Sequence, residues 1–205
     1  MVDRTFIDEL ASKAPTPGGG GASAYCGALA AALSSMVCNL TTGKAAYAAV
    51  EEEVSQAASE LEKLTDELVK LVDEDARAFT PLANAYKMPK ETEGQKQAKE
   101  AALQQALVGA CDVPISIMKA CTRVIELAEM LAEKGSRMAV SDAGVSVLFA
   151  KAALQGASLN VLINCASMTD RQRAEGYLAE VEHMLNIYTK RADAVYASVV
   201  KELDK

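Results

Sequence analysis

Apolar residues recurring at alternating steps of three and four constrain this chain more than any other feature. Val54, Ala57, Leu61, Leu64, Leu68 and Leu71 keep that rhythm and continue it towards Phe79, which is the spacing of one apolar stripe on a long amphipathic helix. Leu103, Leu107, Ile117, Val124, Leu127 and Leu131 repeat it between Thr92 and Lys134. Leu178, Val181, Leu185, Tyr188, Val195 and Val199 do so near the end. No segment alternates with the period of two that a half-buried strand requires. The predicted fold class is all-α: a compact bundle of about six to eight helices with no sheet, one domain over residues 1–205.

Prolines and glycines punctuate the pattern. A short helix is expected from Arg4 to Lys13 on Phe6, Ile7 and Leu10, ending at Ala14-Pro15-Thr16-Pro17. Gly18 to Gly21 then open a small-residue helix running to about Leu40, and Gly43 stands where a left-handed cap would sit. Pro81 is expected to bend or interrupt the long helix, with Pro89 in the loop after it. Pro114 is expected to kink the next helix or to divide it in two. Gly135 closes that run. Ser141 is a candidate cap for a helix reaching about Met168, and Thr169 with Gln172 forms a capping-box pattern before the last one.

Alanine dominates the apolar half of the composition, aromatics make up 4% and tryptophan is absent. Alanine is the best helix former, and small side chains let helix axes approach closely. The net charge of −7, with no basic stretch, argues against a nucleic-acid partner. No uninterrupted apolar stretch is expected to span a membrane. Gly21 to Leu40 comes nearest, but it is rich in alanine, serine and glycine and lacks the basic start of a secretory signal. Five scattered cysteines suit reduced thiols in a cytoplasmic protein. His183, the only histidine, falls on the solvent side of the last helix, so neither a metal site nor a histidine-based triad is expected.

Four places could carry chemistry. The run Pro15-Thr16-Pro17-Gly18-Gly19-Gly20-Gly21 leaves N–H groups uncovered at a helix entrance, where a carboxylate or phosphate could bind, or it is only a tight connection. It lacks the GKS/T ending of a nucleoside-triphosphate loop. Lys44, just beyond that helix, could simply complement its dipole. Asp75 lies four residues after Leu71 and four before Phe79, on the apolar stripe. A carboxylate there costs desolvation, so it is either paired or functional. Asp142 opens a buried-looking helix that also holds Asn160 and Asn164, one turn apart. Those two amides could read the edge of a heterocycle or tie helices together.

Taken in order, PTPGGGG at 15–21, SMVCNLTTGK at 35–44, DEDARAF at 73–79, DVP at 112–114, SDAG at 141–144 and NVLIN at 160–164 resemble the cyclodeaminase/cyclohydrolase family of folate enzymes. The resemblance covers nearly the whole chain, and its length without a formiminotransferase domain is more similar to the cyclohydrolase branch. It implies an all-helical homodimer that hydrolyses 5,10-methenyltetrahydrofolate to the 10-formyl derivative, with no cofactor beyond the folate-linked substrate. It also implies a folate site made of the glycine loop with Lys44, Asp75, Asp142, Asn160 and Asn164; the chemistry of ring opening leads us to expect Lys44, Asp75 and Asp142 as its catalytic groups and Pro17, Gly18, Gly19, Gly20, Asn160 and Asn164 as its substrate-binding groups. Formimidoyltetrahydrofolate cyclodeaminase activity and a non-catalytic helical scaffold are the alternatives.

Overall fold

The computed structural model describes residues 4–204. Within them the chain folds as helices α1 (Arg4–Leu10), α2 (Gly19–Asn39), α3 (Glu51–Lys87), α4 (Glu93–Lys134), α5 (Val140–Ala166) and α6 (Arg171–Leu203). Short 3-10 turns over Ala45–Val50 and Arg137–Ala139 join α2 to α3 and α4 to α5. There is no strand among the described residues, as the missing period of two anticipates.

α2 and α5 run antiparallel as a central pair held by small residues. A Cβ built on Gly156 would lie 2.5 Å from Ser23 Oγ, so a larger residue there would displace the hydroxyl that bonds the Gly19 carbonyl. Further along, the buried hydroxyl of Ser146 meets Ser34 at 2.8 Å and donates to the Ala30 carbonyl at 2.7 Å. At the far end the Ser136 N–H donates to Thr41 Oγ1 at 2.8 Å. α3 and α4 pack around this pair through the leucine stripes: Leu61, Leu68, Leu107, Ile117 and Leu131 are all buried. α6 lies along α4 and α5. A charged network of Glu60, Arg123, Glu126, Arg191 and Glu129 ties α3, α4 and α6 together on the outside.

Neither proline breaks its helix. α3 runs unbroken through Pro81 and α4 through Pro114, against the expected interruption and division. For Pro114 the reason is visible. Proline lacks the N–H that would have bonded the carbonyl four residues back, and that carbonyl, Ala110, instead accepts from Asn164 Nδ2 at 2.8 Å. A side chain from α5 thus repairs the α4 ladder.

Several helix ends also differ from expectation. α1 stops at Leu10 and α5 at Ala166. Ser141 lies inside α5 rather than capping it, because the preceding 3-10 turn already orients the chain. Asp170, one residue after Thr169, is the N-cap of α6, accepting from the Arg173 N–H at 3.0 Å.

By length and mean hydropathy, α2, α4 and the run Arg137–Ala166 could each cross a membrane, contrary to the expectation that no stretch reaches that length. Their apolarity comes largely from alanine, which leaves α2 and α5 nearly as apolar on one side as on the other. Of their most apolar stretches, 56% is buried in α2, 39% in α4 and 44% in the α5 run.

Candidate functional site

The entrance of α2 is built around a carboxylate. Gly20 and Gly21 are buried in the first turn, and the Gly21 N–H donates to Asp75 Oδ2 at 2.9 Å. A Cβ on Gly20 would lie 2.1 Å from Asp75 Oδ1, so only glycine lets α3 bring its carboxylate this close. The positive end of the α2 dipole therefore faces an anion from the protein itself. Burial pushes the Asp75 carboxyl above its usual value, and the bond from Gly21 pulls it partly back.

Asp75 opens into a cleft of about 260 Å³ with Thr16, Gly18, Gly19, Phe79, Asn160 and Asn164 on its walls. Asn160 Nδ2 donates to the Gly156 carbonyl at 3.1 Å, and Asn164 Nδ2 to that of Ala110. Each amide spends one Nδ2 hydrogen on these bonds and keeps the other, and both Oδ1 acceptors, like Asp75 Oδ1, have no partner among the described residues. No lysine or arginine lines the cleft. Three oxygen acceptors, one of them ionisable and desolvated, can hold a flat ligand rich in N–H donors or bearing a positive charge, and the carboxylate can take a proton from water.

The single chain gathers Gly18, Gly19, Asp75, Asn160 and Asn164 around this space. Gly20 lies directly beneath Asp75, and Pro17 belongs to the same loop, following a cis peptide bond from Thr16. Lys44 and Asp142 are not brought in. Lys44 is exposed beyond the other end of α2, its ammonium donating to the Leu40 carbonyl at 2.6 Å. A 21-residue helix separates it from Asp75 by roughly 30 Å at 1.5 Å per residue. Asp142 sits in the first turn of α5, at that same far end. His183 is exposed, all five cysteines are free, and no metal-ligand cluster occurs among the described residues.

Sequence reasoning does not reach Phe79 and the Ala110 carbonyl as parts of the cleft. Periodicity reads Phe79 as stripe only, although its place one helical turn after Asp75 puts it on the same face. The Ala110 carbonyl was signalled by Pro114, four residues on. Asp112, in the same DVP run, accepts from the Tyr177 hydroxyl of α6 and so serves packing.

A helical bundle with an acceptor-lined cleft around a half-buried carboxylate is the frame of a small-molecule binding site. Comparison with known proteins gives that frame a family. Residues 3–183 match the family model described as formiminotransferase-cyclodeaminase. A methenyltetrahydrofolate cyclohydrolase of Methylorubrum extorquens is 45% identical over 98% of this chain and 96% of its own. The formimidoyltransferase-cyclodeaminase of Rattus norvegicus is 30% identical, and the chain spans 36% of that longer protein. The crystal structure of a formiminotetrahydrofolate cyclodeaminase from Thermotoga maritima superposes with a TM-score of 0.81 at 30% identity, covering all of this chain and 96% of that one. The chain belongs to the formiminotransferase-cyclodeaminase family.

Proposed function

We propose that this chain is a methenyltetrahydrofolate cyclohydrolase. The observation that carries the proposal is the cleft's lining within one copy: a desolvated carboxylate beside two amide side chains. Its substrate is a cation, the amidinium-like bridge between N5 and N10 of a reduced pterin. Water adds to the bridging carbon, and Asp75 accepts the proton it gives up. N5 is then protonated, its bond to that carbon breaks as the carbinol oxygen gives up its remaining proton to water, and the carbon stays on N10 as a formyl group. One water is consumed and one proton released, with no change of oxidation state. The Oδ1 atoms of Asn160 and Asn164 accept from the pterin's N–H groups, and Phe79 offers a ring against its face. The five free thiols fit a reducing cytoplasm.

Two assays test the assignment. Purified protein is expected to discharge the absorbance of methenyltetrahydrofolate. With formimidoyltetrahydrofolate it is expected to release little ammonia. The opposite pattern would make the chain a cyclodeaminase. No turnover of either, with no effect of tetrahydrofolate on thermal unfolding, would make it a scaffold.

The active form we propose is a homodimer paired through α2 and α5. α2 carries no charged residue and α5 only Asp142 and Lys151. Leu29 and Met36 on α2 and Leu40 at its C-cap, with Leu148, Leu159 and Ile163 on α5, leave an apolar face exposed. Such a face needs a cover. In a two-fold contact, residue i of one copy meets j of the other while j meets i. An axis near the middle of α5 therefore lays the Asp142 end of one copy over the Asn160 end of its partner. Lys44 and Asp142 then complete the other copy's cleft, Lys44 orienting water and returning the proton to N5.

A further inference from the structure

Pro114 stands midway along α4, a helix of 42 residues, although proline is the least favourable residue for a helix interior. It is buried there, and an alanine or valine would supply apolar packing at that point without losing a backbone bond. What proline alone does is leave the Ala110 carbonyl without its usual donor, the N–H four residues on. Ala110 and Asn164, whose Nδ2 donates to that carbonyl at 2.8 Å, both line the Asp75 cleft; Pro114 does not.

A carboxamide is nearly the same shape with its oxygen and nitrogen exchanged, so its neighbours decide which end points where. Against the Ala110 carbonyl only one orientation is stable. Turned over, the amide would set Oδ1 against the carbonyl, acceptor against acceptor. The carbonyl therefore fixes Asn164 with Oδ1 left free for the cleft. The surroundings allow it little else: Cys111 and Cys165, the residues directly after Ala110 and Asn164, are buried with their sulfurs 4.0 Å apart, so α4 and α5 pack closely here. Asn160, one turn earlier, is held in the same sense by its own helix through the Gly156 carbonyl. Only Asn164 depends on a carbonyl of another helix, and that carbonyl depends on the proline.

We propose that Pro114 is a positioning residue for the ligand of the cleft. By withholding an N–H from Ala110 it locks the Asn164 amide as an acceptor, so the cleft selects a ligand with an N–H donor at that point. The assignment rests on the reading of the cleft as the site of a reduced pterin, whose edge carries such N–H groups. A ring N–H bonded alike before and during ring opening contributes to KM and not to kcat.

Pro114→Ala returns the N–H and frees the amide, which the ligand must then order for itself. KM for methenyltetrahydrofolate, and the Kd of tetrahydrofolate by calorimetry, are expected to rise about three- to tenfold, with kcat within about twofold. Pro114→Val restores the same N–H and keeps the buried volume filled. It is expected to give the same rise, which separates the returned donor from lost packing. Asn164→Ala is expected to weaken binding at least as much, and Pro114→Ala added to it to weaken binding no further, since the proline acts through that amide. In wild-type protein, nuclear magnetic resonance of the asparagine side chains is expected to show one slowly exchanging Nδ2 hydrogen on Asn164, and to show it lost in Pro114→Ala. Folded proline variants with wild-type affinity, a full Pro114→Ala effect in the Asn164→Ala background, or fast exchange of both wild-type Asn164 hydrogens would overturn the positioning role and leave the cyclohydrolase reading intact. A wild-type chain that neither turns over methenyltetrahydrofolate nor binds tetrahydrofolate would overturn both.

Discussion

Asp75, as the proposed proton acceptor, would be costly to the fold and useful to the reaction. Its carboxyl is raised by burial, so the folded chain holds that proton more tightly than the unfolded chain does. The ionised form therefore subtracts stability above the folded pKa, and this loss is relieved as pH falls through it. A general base has the opposite need, since only the ionised form accepts a proton. We expect kcat/KM to drop on the acid side with a midpoint above the usual aspartate value, over a range where thermal unfolding shows no matching loss. Asp75→Asn keeps an acceptor for the Gly21 N–H. It should lower kcat by about 10²–10⁴-fold and leave the melting temperature at neutral pH unchanged or higher. Near-normal turnover in that variant would remove Asp75 from the chemistry. Gly20→Ala should do the reverse of a clean catalytic lesion. Its Cβ would strike the carboxylate, and a loss of about 1–3 kcal/mol in denaturant unfolding is expected together with lost activity.

Among the helices, the junction of Pro114, Ala110 and Asn164 makes a specific claim about which bond replaces which. Asn164→Asp would set a carboxylate oxygen against the Ala110 carbonyl, acceptor against acceptor, at a cost of about 1–3 kcal/mol. Pro114→Ala would restore the N–H that α4 lacks and release the side chain from that duty. The double variant is therefore expected to be more stable than the sum of the two single changes by about 0.5–3 kcal/mol. Strict additivity in denaturant midpoints would mean that the bond contributes nothing. The same junction shows where sequence reading stops. The stripe from Val54 to Leu71 could be read directly, because helical periodicity is local. So could the inward place of Asp75, which follows from counting turns. The continuity of α4 through Pro114 could not, because the missing donor comes from a residue fifty positions away. For the same reason the sequence left the role of the two asparagines open between binding and bracing. The structure shows Asn164 bracing through its Nδ2 and presenting its Oδ1 to the cleft.

For the molecule as a whole, the separation of Lys44 and Asp142 from Asp75 is the main lesson about the site. Motif order along the chain carried no information on which ends of the helices would meet. α2 and α5 each have one candidate group at either end, and a single copy joins only one set. Light scattering is expected to give twice the chain mass. A monomer at all concentrations, or protein recovered only with detergent or lipid, would overturn the pairing. Mixing inactive Asp75→Asn with inactive Lys44→Met protein is expected to restore up to about a quarter of wild-type activity per site, since random exchange yields mixed pairs with one intact cleft. No recovery after verified exchange would mean that each copy works alone.

The uncharged outer side of α2 also bears on how output follows supply. Where two copies must meet before either cleft is whole, dilution removes catalysts as well as spacing them out. Below the dissociation constant of the pair, the rate should fall with the square of the amount of chain present, and a modest change in expression would be felt as a much larger change in flux.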